Sequence, residues 1–583
     1  VAIHQHVLNL VELCVRKGIR QAIISPGSRS APITLALARH PEMTTRAVAD
    51  ERSAGFIALG LAQQLRQPVI LVCTSGSAVY NLAPAVAEAY FQEIPLLILT
   101  ADRPKEWTHQ QDGQTIYQTD IFGKHVKQAF ELPADFVHPD ARWFAERATN
   151  EAVDLAWAEP RGPVHINIPL REPLYPVGDE TFQYQAVRVI EQVMAASALS
   201  SETWHRLQEE WETAERKLIA VGQGPHDPAL LAILKKISEE WRIPVVGDVI
   251  SNLPRNGEFI TQQDIFLSSA NDELKHDLVP DLLITCGQSF LSKQLKLFLR
   301  NHQPGAHWQI QPHHRLADPF QSLTRLIPYE PTDFFEKLFS DIDYQRFVSN
   351  DDEDSDDNFQ EQWQTLDRKA TRLLNQFLND ETVFHEWAVI QRILDELPAD
   401  SQLHVANSMP VRYANFCGLP ENQRVEVFAN RGTSGIDGCL STAVGAALAT
   451  DQLVTALIGD VAFFYDRNGL WNNLVPANLR VIVLNNHGGN IFRIIDGPSK
   501  QPELSAYFET SQPLSAENTA KEAGLAYANV SSYDDLKTAL ADFFSKGDRG
   551  KLLEIETDRY VNAEQFQRYK QLVQETFLDR QNR

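Results

Sequence analysis

The chain has 583 residues, a formal net charge of −24 at pH 7, 43% hydrophobic residues and 22% charged residues. That length exceeds what one hydrophobic core serves and predicts about three domains of ordinary globular composition. The acidic balance speaks against nucleic acid and anionic membranes as partners, since both want basic surfaces. No apolar run reaches the ~18 residues of a membrane-spanning helix. Five cysteines, Cys14, Cys73, Cys286, Cys417 and Cys439, lack CxxC spacing and read as free thiols of a reducing compartment. The opening VAIHQHVLNL has neither a basic segment nor a long apolar core. The expectation is no signal peptide and a cytoplasmic location.

Residues 1–180 alternate helical and strand patterns, which predicts a mostly parallel sheet. A helix face over 8–15 precedes a strand at 21–24, and Ser25-Pro26-Gly27-Ser28-Arg29-Ser30 then opens the next helix. The N–H groups of such a helix start attract anions, and Arg29 adds a full charge; the plainer reading is a capped turn with a solvent-facing arginine. Asp50-Glu51-Arg52 leads into a helix of small residues over 53–65, where dipole complementation is the ordinary role of the acid. A strand at 69–74 runs into Ser75-Gly76, and one at 95–99 into Thr100-Ala101-Asp102-Arg103-Pro104, which puts Arg103 at a strand's carboxyl end. The polar stretch 106–124, containing Gln114, is either a substrate loop or a solvated connector. Gly162-Pro163-Val164-His165-Ile166-Asn167-Ile168-Pro169 closes the domain, and 176–200 reads as a linker.

Residues 200–345 form a central α/β domain with strands at 217–221, 244–247, 282–286 and 308–310. Gly222-Gln223-Gly224 lacks the third glycine and the downstream acid of a dinucleotide turn, so this domain reads as structural. Lys293 is a candidate reach into a substrate pocket. Residues 346–358 carry a run of acids with no apolar period and read as a solvated linker. The last domain, 359–583, begins with helices over 359–378 and 386–397 and a strand at 402–406. Asn407-Ser408-Met409-Pro410-Val411-Arg412 follows, then Asn430-Arg431-Gly432-Thr433-Ser434-Gly435-Ile436-Asp437-Gly438 and a small-residue helix over 441–449. These glycines permit tight turns whose N–H groups face an anion. Taken singly, Arg412 and Arg431 read as surface ion-pair partners. Buried strands at 453–458 and 481–484 end in Gly459-Asp460 and Asn485-Asn486, joined by a crossover of about two dozen residues. Asp460 and Asn486 then sit at the carboxyl ends of parallel strands, where open α/β sheets bind ligands. With a nearby Gly488 carbonyl they would form a partial oxygen shell suited to Mg²⁺ on phosphate; the plainer reading, favoured for Gly459-Asp460 taken alone, is that Asp and Asn cap turns after strands. The fold class is α/β, three consecutive open, mostly parallel sheets. No internal sequence repeat is visible, and the first and last thirds share only their α/β alternation.

Gly459-Asp460 followed by Asn485-Asn486-His487-Gly488-Gly489 resembles the diphosphate-Mg²⁺ motif of thiamine-diphosphate enzymes, with His487 where a third asparagine is common. The Gly-Pro-Val-x-Ile-x-Ile-Pro ending of the first domain resembles theirs too. Ser-Pro-Gly-Ser-Arg-Ser, Ala-Asp-Arg-Pro and Asn-Arg-Gly-Thr-Ser-Gly-Ile-Asp-Gly together resemble one family among them, the 2-succinyl-5-enolpyruvyl-6-hydroxy-3-cyclohexene-1-carboxylate synthases of menaquinone biosynthesis. The resemblance implies a carboligase that decarboxylates 2-oxoglutarate and adds the remainder to isochorismate in a 1,4 sense. It makes 1–180 the pyrimidine-binding domain and 359–583 the diphosphate domain. Glu51 would hydrogen-bond the aminopyrimidine, and Arg29, Arg103, Arg412 and Arg431 would hold substrate carboxylates. Gln114, Lys293 and Ser408 would assist, although the second basic residue the family often has beside the lysine is here Gln294. Ser28, Ser434 and Gly435 would contact the cofactor, and Ile436 would wedge it into a bent form. Asp460, Asn486 and Gly488 would hold Mg²⁺ or Mn²⁺. A homodimer or dimer of dimers with interfacial sites is implied. The rivals are another carboligase or decarboxylase of this cofactor, such as the acetohydroxyacid-synthase type, or a non-catalytic protein of the same fold.

Overall fold

Three parallel sheets follow one another along the chain. The computed structural model describes residues 4–176, 181–193, 198–342, 359–379 and 382–578; the acidic linker expected at 346–358, and 177–180 and 194–197 of the earlier one, lie outside the described residues. The first sheet holds β1 (Gln21–Ile24), β2 (Thr44–Ala47), β3 (Val69–Cys73), β4 (Leu96–Asp102), β5 (Ala129–Glu131) and β6 (Val164–Pro169) in the order β2-β1-β3-β4-β6-β5. Every residue of β3, β4 and β6 is buried, as their unbroken apolar runs require of strands covered on both faces. β4 continues through the polar Thr100 and Asp102 because β6 supplies matching partners. The Thr100 hydroxyl donates to Asn167 Oδ1 at 2.9 Å, and Asn167 Nδ2 donates to Asp102 at 2.9 Å.

The central sheet runs β11-β10-β9-β7-β8, built from β7 (Lys217–Val221), β8 (Val245–Gly247), β9 (Leu282–Cys286), β10 (Ala306–Gln311) and β11 (Arg325–Pro328). The third contains β12 (Gln402–Val405), β13 (Glu426–Phe428), β14 (Val454–Gly459), β15 (Leu479–Asn485), β16 (Ala526–Val530) and β17 (Lys551–Glu556), ordered β13-β12-β14-β15-β17-β16. That is strand for strand the order of the first sheet. The first and last thirds therefore share a topology, and not merely an alternation, without a repeat in sequence.

Seven helices position the site: α1 (Glu51–Leu65), α2 (Lys293–Asn301), α3 (Phe359–Asn379), α4 (Glu386–Asp395), α5 (Met409–Cys417), α6 (Cys439–Ala447) and α7 (Asp460–Asp466). Asp50 caps α1 by accepting from Arg52 N at 2.9 Å and Ser53 N at 3.3 Å, which explains the start at Glu51. α1 and α6 cross in backbone contact. A Cβ added to Gly60 would stand 2.0 Å from the Thr442 carbonyl oxygen, and one on Gly445 2.1 Å from that of Ile57. The crossing merges the first and third domains into one apolar cluster that includes Ile57, Leu61, Leu440 and Val444. α3 joins the other pair, with the Trp363 ring 5.7 Å from Phe266 of the central domain and Phe377 6.0 Å from Trp387 of α4. Among the described residues no helix is long and apolar enough to cross a membrane.

Candidate active site

In the third sheet the chain leaves β12 outward to β13 and returns inward to β14. The loops after β12 and β14 therefore diverge and open a crevice at the carboxyl ends of the strands. Ser408, directly after β12, adopts φ +76°, a strained backbone for a residue with a Cβ and one that tends to occur at functional positions. Its carbonyl accepts from Arg412 Nη1 at 2.5 Å. Asn407 Nδ2 donates at 2.7 Å to the carbonyls of both Asn430 and Gly435, tying the loops after β12 and β13 together. Asn407 Oδ1 in turn accepts from Arg431 Nη1 at 2.8 Å.

Arg412 and Arg431 are half-buried, and among the described residues neither makes an ion pair, so the surface-pair reading fails. Arg431 Nε is shut off from solvent without any partner. Burial lowers the pKa of both guanidinium groups; for Arg431 repulsion from Arg412 comes next, while Asp264 partly offsets the effect at Arg412. A cation held this way is short of an anion. The loop carrying Arg431 is fastened by both other domains. Glu88 accepts from Gly432 N at 2.8 Å and Thr433 N at 2.7 Å, Gln223 donates to the Ala429 carbonyl at 2.8 Å, and the Ser289 hydroxyl to that of Arg431 at 3.2 Å. Gln223 is thus used in bracing, not in a nucleotide turn. Ser434 is exposed at φ +62°. Gly435 has no room for a Cβ, which would meet Asp437 Oδ1 at 2.0 Å, and Ile436 packs half-buried on the α1/α6 cluster.

Asp460 opens α7 and is buried, and the loss of solvent pushes its carboxyl up to about 6. Gln512 Nε2 donates to it at 2.7 Å, and the Gly488 N–H also bonds to it. Asn486 is buried beside them; its Nδ2 donates to Glu386 at 2.5 Å while its Oδ1 has no partner. A desolvated carboxylate next to an orphaned amide oxygen is what a hard divalent cation would satisfy, so these residues fit Mg²⁺ or Mn²⁺. Among the described residues there is no cluster of three or more His, Cys, Asp or Glu side chains for a metal, as expected for a shell drawn from one acid, an amide and the backbone. Glu386, the first residue of α4, orients Asn486 and is itself raised to about 7 by burial. No motif marks it in the sequence. Glu88 did carry a signal, a lone acid in the apolar run Ala83–Phe91.

The first sheet gathers a second group. Arg29 is buried, donates from Nη1 to the Leu170 carbonyl at 3.0 Å and pairs with Glu172 at 3.2 Å. Burial lowers its pKa, and Arg103 nearby lowers it further. Arg103 pairs with Asp112 at 3.0 Å and donates to the Gly113 carbonyl. The 106–124 stretch therefore folds over the strand ends, and Gln114 lies against Gly76, where a Cβ would be 3.1 Å from its Cα. Gln118, unmarked in the sequence reading, accepts from Gly76 N at 2.9 Å. Ser28 is exposed, with its hydroxyl 3.5 Å from that of Tyr175. Glu51 accepts from Asn81 at 3.2 Å.

Two expectations separate from the rest. Lys293 opens α2 exposed to solvent and makes no side-chain hydrogen bond or ion pair among the described residues. Lys296, one turn on, is half-buried, with its pKa lowered by burial despite Asp248, and it is the lysine that feels the field of Arg431. Glu51, for its part, has no hydrogen bond or ion pair to Asp460, Asn486, Ser408, Arg412 or Arg431 among the described residues. Its neighbours Asp50 and Arg52 instead bond Asn468 Nδ2 and the Tyr465 carbonyl, each at 2.7 Å. Tyr465 lies five residues along α7 from Asp460, roughly 8 Å at 1.5 Å per residue.

Comparison with known proteins covers all three domains. Residues 8–126 match the thiamine pyrophosphate enzyme N-terminal TPP binding domain, residues 184–405 the middle domain of thiamine pyrophosphate enzymes, and residues 411–555 the C-terminal TPP binding domain. A 2-succinyl-5-enolpyruvyl-6-hydroxy-3-cyclohexene-1-carboxylate synthase from Cytophaga hutchinsonii is 44% identical over 98% of this chain and 100% of its own length. Proteins of the same name from Porphyromonas gingivalis and Desulfotalea psychrophila are 38% and 36% identical, covering 95% and 90% of this chain and 94% and 93% of theirs.

Proposed function

The chain belongs to the 2-succinyl-5-enolpyruvyl-6-hydroxy-3-cyclohexene-1-carboxylate synthases, a thiamine-diphosphate-dependent transferase family, and we propose that it decarboxylates 2-oxoglutarate and joins the product to isochorismate in a 1,4 addition. The observation that carries this reading is the pair Arg412 and Arg431, half-buried and without ion-pair partners among the described residues, at the same end of the third sheet as the buried Asp460 and Asn486. Both substrates are polycarboxylates, and a protein of net charge −24 needs local guanidinium groups to capture them against its own field.

Thiamine diphosphate, when bound, supplies the electron sink for decarboxylation and the carbon nucleophile for the addition. Asp460, Asn486 and Gly488 would hold Mg²⁺ or Mn²⁺ against its diphosphate, with Ser434 and Gly435 alongside and Ile436 as an apolar support. Glu51 would hydrogen-bond the aminopyrimidine, and Ser28 would contact the cofactor nearby. Arg412 and Arg431 orient and neutralise carboxylates on one side, with Ser408 held by strain near the reacting carbon. Arg29 and Arg103 would do the same from the first sheet, with Gln114 assisting. Lys293 stands at the margin of this arrangement, and Lys296 is the better placed cation. The first domain takes the pyrimidine end, the third the diphosphate end, and the central domain braces the Arg431 loop.

Asp50 and Arg52 hold the start of α1 at Asn468 and Tyr465, and the site is proposed to lie at the interface of a homodimer or dimer of dimers. The proposed location is the cytoplasm, in keeping with five free, buried cysteines. The deciding experiment incubates the protein with thiamine diphosphate, Mg²⁺, 2-oxoglutarate and isochorismate, following isochorismate absorbance and product mass. Consumption of both substrates with release of CO₂ supports the reading. Turnover of pyruvate alone, with isochorismate untouched, would move the chain to the acetohydroxyacid-synthase type.

A further inference from the structure

Away from the strand ends, a cleft of about 530 Å³ opens where α3, α4 and the end of α5 meet a loop of the central domain. Its lining includes Arg255, Arg368, Arg372, Asn375, Gln391 and Asp395. Arg368, Arg372 and Asn375 follow at helical spacing and share one face of α3. Arg368 is engaged by Glu361, but Arg372 has no ion pair or side-chain hydrogen bond among the described residues. Arg255 likewise has no ion pair; its Nη1 donates to the Cys417 carbonyl at 2.5 Å and its Nη2 to Asn375 Oδ1 at 3.1 Å. On the α4 wall, Gln391 Nε2 donates to Asp395 at 2.9 Å, which leaves Gln391 Oε1 buried with nothing to accept from. Asp367, the other acid at the cleft, already accepts from Thr261 N and Gln262 N, both at 2.7 Å.

The cleft therefore offers two guanidinium groups without an ion-pair partner among the described residues, Arg255 in the field of Asp367 and Asp395 and Arg372 without a side-chain hydrogen bond either, and one buried acceptor lacking a donor. We propose that it binds a small hydroxylated organic anion, a hydroxycarboxylate or a sugar phosphate, with the anionic group on Arg255 and Arg372 and a hydroxyl donating to Gln391 Oε1. Planar guanidinium forks suit both carboxylate and phosphate, and the volume lies within the range of small-molecule sites, ~300–1,000 Å³. An occupant would also compete for the Arg255 group that holds the Cys417 carbonyl. Cys417 ends α5, and Arg412 stands in its first turn, so occupancy would loosen the helix that presents Arg412. This last link rests on the substrate-binding role given to Arg412; the binding site does not.

The test uses the holoprotein, loaded with thiamine diphosphate and Mg²⁺, and titrates it calorimetrically with malate, glycerol 3-phosphate or inorganic phosphate at matched ionic strength. Saturable binding of malate, of glycerol 3-phosphate or of both, tighter than inorganic phosphate, is expected, and which of them binds identifies the source. Arg372→Gln should weaken that binding by about tenfold or more, and Gln391→Met should weaken the hydroxylated anions while sparing inorganic phosphate. No saturable binding, or affinities unchanged in Arg372→Gln, would overturn the site. In steady-state assays the bound anion should raise KM for 2-oxoglutarate in the wild type and not in Arg372→Gln. Binding without that difference would remove the link to Arg412.

Discussion

Replacing Arg431 by glutamine separates a substrate-binding arginine from a structural one by the signs of two effects. One N–H of Nη1 is used on Asn407 Oδ1, and Nε has no partner at all. Nη2 has no partner among the described residues and is the end left to a carboxylate. Losing a charge-assisted hydrogen bond to such a group corresponds to ~1.5–3 kcal/mol, or roughly 10- to 150-fold in kcat/KM. The ligand-free fold should respond in the opposite direction. Burial and Arg412 both work against the Arg431 charge, Asp248 and Glu88 offset them only in part, and no acid pairs with it among the described residues, so removing that charge should leave the unfolding midpoint unchanged or raised. The assays are steady-state kinetics with each substrate varied in turn, thiamine diphosphate affinity, and thermal unfolding without ligands. The expected pattern is a raised KM for a carboxylate substrate, near-normal cofactor affinity and no loss of stability. A midpoint lowered by several degrees with unchanged substrate constants would refute the reasoning and make Arg431 a brace.

If the site is shared between chains, Glu51→Gln and Asp460→Ala, each inactive alone, should recover roughly a quarter of wild-type activity when unfolded and refolded together, since each mixed dimer has one intact site; no recovery, with exchange proved by tagged chains, counts against an interfacial site. Gly60→Ala should stabilise by ~1 kcal/mol on helix propensity alone, but the 2.0 Å approach of its Cβ to the Thr442 carbonyl predicts a loss of ~1–3 kcal/mol from overpacking; a raised thermal midpoint would disprove the close crossing of α1 and α6. Asp367 is raised by burial from 3.8 to about 6, so the stability it lends is full below ~3.8 and lost as pH rises through about 6. Asp367→Asn, which keeps the acceptor for Thr261 N and Gln262 N, should raise the midpoint at pH 8 and leave it nearly unchanged near pH 4; an equal shift at both would show that ionisation is not the cause.

The strands were legible where burial on both faces made them uniformly apolar, as in β3, β9, β14 and β15. Those missed are edge strands whose partly exposed faces carry polar residues, such as β2, which reads Thr-Thr-Arg-Ala, and β16, with Asn529 and two alanines. Their pairing comes from a neighbour, and no local pattern announces it. The site followed the same division. Asp460 and Asn486 stand at strand ends beside glycine or asparagine, so spacing could mark them, whereas Arg412 and Arg431 read as surface ion-pair partners until the family resemblance gave them a role. Glu386 and Gln512 act from 100 and 52 positions away on Asn486 and Asp460, and such partners are chosen by the fold. Lys293 and Lys296 lie on one helix turn, and only the direction of α2 decides which of them is turned inward.

The two halves of the proposed site also bear on whether one chain can close it. The first and third sheets share a strand order and bring their ligand-binding ends to their own switch points. The contact that joins these domains within the chain is the α1/α6 crossing, where Gly60 and Gly445 bring the helices to backbone distance, and nothing of cofactor size fits into such a contact. Asp50 and Arg52 fasten the start of α1 to Asn468 and Tyr465, so Glu51 is anchored past the end of α7 while Asp460 begins it. If the cofactor sits on Asp460 and Asn486, the proposed arrangement draws its glutamate from a second copy of α1, and the mixed refolding of Glu51→Gln with Asp460→Ala tests it. Two-fold symmetry answers this without any new element, because the same operation that delivers a partner's Glu51-bearing sheet to one crevice delivers the first chain's to the other.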